Sequence, residues 1–174
     1  MVRIKHRYLL LNILYPTPPP QQKGKADEKD LPWTVTFRRP SPDRLNPQLL
    51  ARMIRDGVAE LFGEYGAGMV AGSLQVKYLS SATSTAIVRV SRAHDRLVWA
   101  ALSFVTHVPG GRPERCVVQV VRVSGTIKKV EEEAVRLARR GIVRAQKGPE
   151  ALEDDMDQID RMEVIDSDGS GDEG

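Results

Sequence analysis

The sequence predicts an α/β fold (an α+β sandwich), with helices laid on one antiparallel sheet and a further helix at its end. Three observations carry this. Short apolar runs of strand length alternate along the chain with stretches whose apolar residues recur at helical spacing. Their order reads strand, helix, strand, strand, helix, strand, helix. The chain has 174 residues, and a domain of about 130 residues buries roughly two-thirds of its unfolded surface, enough for one core.

Residues 3–15 alternate at first, with Arg3, Lys5 and Arg7 on one face and Ile4 and Tyr8 on the other. Leu9, Leu10, Leu11, Ile13 and Leu14 then make the run apolar throughout, as in a central strand whose first half is wet on one side. The three cations either match a phosphate backbone or simply face solvent. Pro16 stops the strand. A Pro-rich, polar surface insert follows over 16–46, within which Trp33, Val35 and Phe37 alternate and predict a short extended segment. Asn46-Pro47 supplies an N-cap and a proline at the first helical position. Leu49, Leu50, Met53, Ile54, Val58, Leu61 and Phe62 make an amphipathic helix ending near Gly63.

Gly66-Ala67-Gly68 marks the return, and residues 69–79 and 81–91 predict a hairpin. Leu74, Val76 and Tyr78 share one face, as do Ala86, Val88 and Val90; the other face shows Gln75, Lys77, Thr83, Thr85, Arg89 and Ser91. Residues 94–107 form the second helix, with Leu97, Val98, Ala101, Leu102 and Val105 inward, ended by Pro109-Gly110-Gly111. A strand over 116–123 and a third helix running to about Gln146 complete the fold before Gly148-Pro149. The result is the β-α-β-β-α-β order of ferredoxin-like and RNA-recognition-type domains with an extra C-terminal helix. The expected division is a domain over 1–147 and an acidic, disordered tail over 148–174. Two helices cover one sheet face; the third helix or a protein partner is expected over part of the other.

The formal charge of +3 conceals a split. Residues 148–174 hold 11 acidic residues and one basic, Arg161, so residues 1–147 keep 25 basic and 12 acidic, a surplus of 13. A body that basic points to a polyanion partner. The single cysteine, Cys116, excludes an internal disulfide and reads as a small buried apolar residue. The charged start is unlike a signal peptide, and no apolar run has membrane-spanning length.

The most informative stretch is Ser124-Gly125-Thr126-Ile127-Lys128-Lys129, a turn from strand to helix. Free N–H groups and the macrodipole already make a helix start positive. Two lysines there are the wrong charge for helix stability but the right one for holding an anion such as phosphate. The plain alternative is a capped helix with solvated lysines, compensated by Glu131, Glu132 and Glu133, themselves a solvated face. Further along, Arg136, Arg140 and Arg144 form a cationic ridge at spacing of four.

No catalytic and no metal-ligating residue is predicted. His6, His94 and His107 lie in separate elements, and no P-loop, dinucleotide or G-x-S-x-G motif occurs. The strand 85–90 has no aromatic residue, and the chain holds only nine. Contacts to phosphate and 2′-OH therefore fit better than base stacking.

Three separated motifs carry a resemblance. They are Met-Val-Arg-Ile-Lys-His-Arg-Tyr, then Leu-Gln-Val-Lys-Tyr with Thr-Ser-Thr-Ala-Ile-Val-Arg, and last Val-Ser-Gly-Thr-Ile-Lys-Lys-Val-Glu. In order over about residues 1–145 they resemble the small basic Pop-type protein subunits of ribonuclease P and RNase MRP, the fifth of the "processing of precursors" set, of eukaryotic and fungal type. The resemblance implies an RNA-recognition-like sandwich packed against a catalytic RNA. It also implies pairing with the TIM-barrel-like subunit among the other particle proteins. The activity implied is 5′ maturation of precursor tRNA, itself a possible contact, and ribosomal RNA processing, in the nucleus and nucleolus and away from membranes. The chemistry would belong to the RNA and its Mg²⁺, with no cofactor on the protein. The implied RNA contacts are Arg3, Lys5 and Arg7; Lys77, Thr83, Ser84 and Arg89; and Ser124, Gly125, Thr126, Lys128 and Lys129. The alternative is a basic protein–protein adaptor of ferredoxin-like fold that does not touch RNA.

Overall fold

The structure, a computed structural model, describes residues 5–16, 37–109 and 113–147, with side chains as far as residue 142. Arg3, most of the Pro-rich insert and the acidic tail lie outside the described residues. So do Trp33 and Val35; Phe37, the last member of that predicted extended segment, carries helical backbone instead. The chain divides into two units, Met1–Ala134 and Val135–Gly174.

In the first unit β1 (His6–Leu14) is followed by α1 (Pro47–Ala71), β2 (Gln75–Ser80), β3 (Thr85–Ser91) and α2 (Asp95–Phe104). A short ribbon of β4 (His107–Val108) and β5 (Glu114–Arg115) leads to β6 (Val117–Ser124). The helix α3 (Ile127–Lys147) begins in this unit and crosses the division. The main sheet is antiparallel, in order β2-β3-β1-β6, the arrangement of a ferredoxin-like fold with a C-terminal helix.

Strand alternation sorts the sheet into two faces. Leu9, Leu11 and Ile13 of β1 and Ala86, Val88 and Val90 of β3 join Leu50, Ile54, Val58, Val98, Ala101 and Leu102 of α1 and α2 in one core. Leu10 and Ile87 face the other way and are buried outside that core, as is Val130 of α3. The start of α3 is tied to this second face: Arg122, opposite Leu10, donates to Glu133 at 2.9 Å. Glu133 is therefore buried rather than part of the solvated face expected of Glu131–Glu133. A carboxylate with so little water needs such a partner.

Asn46 caps α1 as expected, its side chain accepting from the Leu49 N–H at 2.7 Å, with Pro47 behind it. The helix does break at Gly63, where φ is 68° and ψ −171°, but it restarts and runs to Ala71. Met69 is thus helical, not the start of a strand. Gly66 and Val70, four apart, bury one face of this extension. A Cβ on Gly66 would lie 2.5 Å from Phe62 Cβ, so only glycine fits. The helix α2 ends at Phe104, earlier than the predicted His107. Val105 is extended, and Val108, held extended by the proline after it, pairs with Glu114. Cys116 is free and buried, as its apolar setting predicts, and burial pushes its thiol up to about 11.

Candidate nucleic-acid interface

The turn after β6 sits at one end of the sheet. Ser124 pairs with Tyr8, and Tyr8 with Arg89, so Ser124, Tyr8 and Arg89 form a row on the second face. Ser124 is buried, and its hydroxyl accepts from the Thr126 N–H at 3.4 Å and holds the bend in front of the helix. Gly125, Thr126, Lys128 and Lys129 are exposed. Arg7 reaches the same bend, its Nη1 lying 3.3 Å from where a Cβ on Gly125 would be. Lys5 is exposed just before β1, its carbonyl accepting from the Arg92 N–H. The fold thus gathers Lys5, Arg7, Arg89 and the 124–129 turn at one corner. Arg7 and Arg89 approach it from opposite faces, since Arg7 has the alternation of Leu9 and Arg89 that of Ile87.

The remaining expected contacts are elsewhere. Thr83 is exposed in the β2–β3 turn, at the other end of the sheet. Ile13 donates to the Ser84 carbonyl there, five residues from Tyr8 and so about 17 Å away. Ser84 itself is buried, with φ of 52°, and its hydroxyl donates to the Arg39 carbonyl at 2.8 Å and accepts from Ser41 at 3.0 Å. That hydroxyl is closed into the protein. Lys77 is exposed on the edge strand β2, at a bulge. Arg136 and Arg140 are exposed on the part of α3 that belongs to the second unit, beside exposed Val135 and Ile142. The Arg144 side chain, like Arg3, lies outside what the structure describes.

Two features were not expected. One is the network that holds Ser84. Tyr15, fully buried, donates to Ser41 at 2.8 Å under the Arg39 guanidinium, 5.0 Å from the ring centroid. Arg39 and Arg44 both lie 3.6 Å from Glu114 of β5. Nothing in the spacing of these residues announces the network, because its members come from four distant segments. The other is Tyr78, expected on the buried face but 50% exposed. Among the described residues no cluster of side chains could hold a metal ion, and no helix is long and apolar enough to cross a membrane.

Comparison with known proteins places this geometry in context. The family model described as Rpp14/Pop5 family matches residues 7–135. The chain is 45% identical over 135 residues to the ribonuclease P/MRP protein subunit POP5 of Schizosaccharomyces pombe, covering 78% of this chain and 86% of that protein. It is 34% identical over 136 residues to the Saccharomyces cerevisiae protein of the same name, covering 78% and 76%. A solved chain from the cryo-EM structure of yeast ribonuclease MRP aligns over 80% of this chain and 98% of its own length, with 13% identity and a TM-score of 0.44.

Proposed function

The chain belongs to the Rpp14/Pop5 family, and from that premise we propose that it is a non-catalytic protein subunit of the ribonuclease P and RNase MRP particles. In this reading it binds and shapes the catalytic RNA for 5′ maturation of precursor tRNA and for ribosomal RNA processing, in the nucleus and nucleolus. A TIM-barrel-like subunit is its expected protein neighbour, and Mg²⁺ acts within the RNA rather than on this chain.

The observation that carries RNA contact is the exposed corner of Gly125, Thr126, Lys128 and Lys129 with Arg7 against it. Lysines in the first turn of a helix work against its dipole. That placement becomes favourable when an anion sits on the free N–H groups. Ribose and phosphate suit such a site, and the mode is positional rather than sequence-reading.

The experiment is purification of the tagged full chain from its own cells, with and without nuclease. Precursor-tRNA cleavage co-purifying with the chain and abolished by nuclease supports the reading. Retention of the same protein partners with no RNA recovered in either preparation would instead favour the adaptor.

A further inference from the structure

Tyr78 faces away from where simple alternation would put it. Val76 faces the helices, so a strict period of two would bury Tyr78 beside it. One extra residue, Lys77, bulges between the pairs Val76↔Val88 and Tyr78↔Ile87. Bulges re-aim side chains in this way. Leu79 then takes the core position opposite Ala86, and Tyr78 turns to the second face opposite Ile87.

Arg89 shares that face, two residues along β3 and flanked by Gln75 and Tyr8. Its Nε is buried and has no acceptor among the described residues. That atom is closed to an incoming group, so what the half-buried Arg89 offers a ligand is the outer edge of its guanidinium. Neither β2 nor β3 holds an acidic residue, so a polyanion meets no repulsion from these strands. The row from Arg89 through Tyr8 to Ser124 leads directly to the cationic corner. Tyr78 lies three strand spacings and two residues from Ser124, roughly 16 Å.

We propose that Tyr78 and Arg89 form a stacking subsite for an unpaired nucleotide of the RNA gripped at the corner. The base lies on the tyrosine ring and an acceptor of the same strand, phosphate or base edge, accepts from the outer edge of the Arg89 guanidinium. The inference rests on the RNA-binding reading above and adds to it the class of RNA: a single-stranded segment, since bases inside a duplex offer no free face.

The test uses the full chain with two probes at one salt concentration, an oligouridylate and an RNA duplex of equal length. Tyr78→Ala should weaken oligouridylate binding about tenfold, Tyr78→Phe should retain it, and duplex binding should not move. A 5-iodouridine in the oligonucleotide should photocrosslink to the peptide containing Tyr78. Equal oligouridylate affinity for Tyr78→Ala and the unaltered chain, with Lys128→Ala/Lys129→Ala still weakening it, overturns the subsite and leaves the corner standing. Loss of both probes' binding in Tyr78→Ala alone, with folding intact, also overturns it, because stacking does not act on a duplex. Salt-insensitive or absent binding of both probes by the unaltered chain fails the RNA reading itself.

Discussion

At one end of the sheet, Gly125 to Lys129 hold hydroxyl, amide and ammonium groups in water, with few internal partners. At the other end, the hydroxyls of Tyr15, Ser41 and Ser84 close on one another and on the Arg39 carbonyl, with Tyr15, Ser41 and Ser84 buried and Arg39 half-buried over them. Both ends carry serine, threonine and cations beside a turn, and both matched a family motif. What separates them is where each donor finds its acceptor. A buried polar group must be paired within the fold, and its loss is felt as stability. An exposed group beside a helix start has its partners still to come, and its loss is felt as binding.

The sharpest way to break this division is pH. Burial pushes the Tyr15 phenol from 10.0 up to about 12, and the Cys116 thiol from 9.0 up to about 11. The folded state therefore holds both protons more tightly than the unfolded chain does. Their contribution is whole at neutral pH, begins to fade above pH 9, and is lost as pH rises through 12. Tyr15 alone should account for about 2 to 3 kcal/mol. Urea unfolding across pH 8 to 12 measures the fall, and Tyr15→Phe should remove the Tyr15 part of the slope. A stability that stays flat to pH 12 would mean the network end is open to water.

A smaller effect is expected at Ser84. Ser84→Ala keeps the left-handed backbone and strands the buried Ser41 hydroxyl proton and the half-buried Arg39 carbonyl, costing about 1 to 3 kcal/mol. Ser84→Gly loses the same hydroxyl but relieves the backbone, and should cost about 1 kcal/mol less. Denaturant midpoints give both values. Neither change should alter the salt dependence of RNA binding, and if one did at unchanged stability, the two ends would not differ as argued.

Much of the fold was legible because it depends on local rules. Asn46-Pro47 announces the start of α1, and the alternation of apolar runs yields the order of strands and helices along the chain. The cationic turn was legible for the same reason, since strand, glycine and helix start are neighbours in sequence. What stayed hidden depends on register or on distant pairing. The bulge at Lys77 adds one residue and reverses every side chain after it, which no periodicity shows in advance. The Gly63 break reads as a helix end, and only the packing of Gly66 and Val70 reveals the restart. Ser84 and Glu133 looked like solvent-facing residues because their partners, Ser41 and Arg122, are 43 and 11 residues away.

The smallest effect on stability and the most direct test coincide at the corner. Lys128→Ala with Lys129→Ala removes two cations from a positive helix start, so stability should hold or rise by about 1 kcal/mol. The decisive measurement is the salt dependence of RNA affinity for this double variant against the unaltered chain. The log–log slope should be shallower by about 2, with folding unchanged. An unchanged slope would remove the turn from the proposed interface.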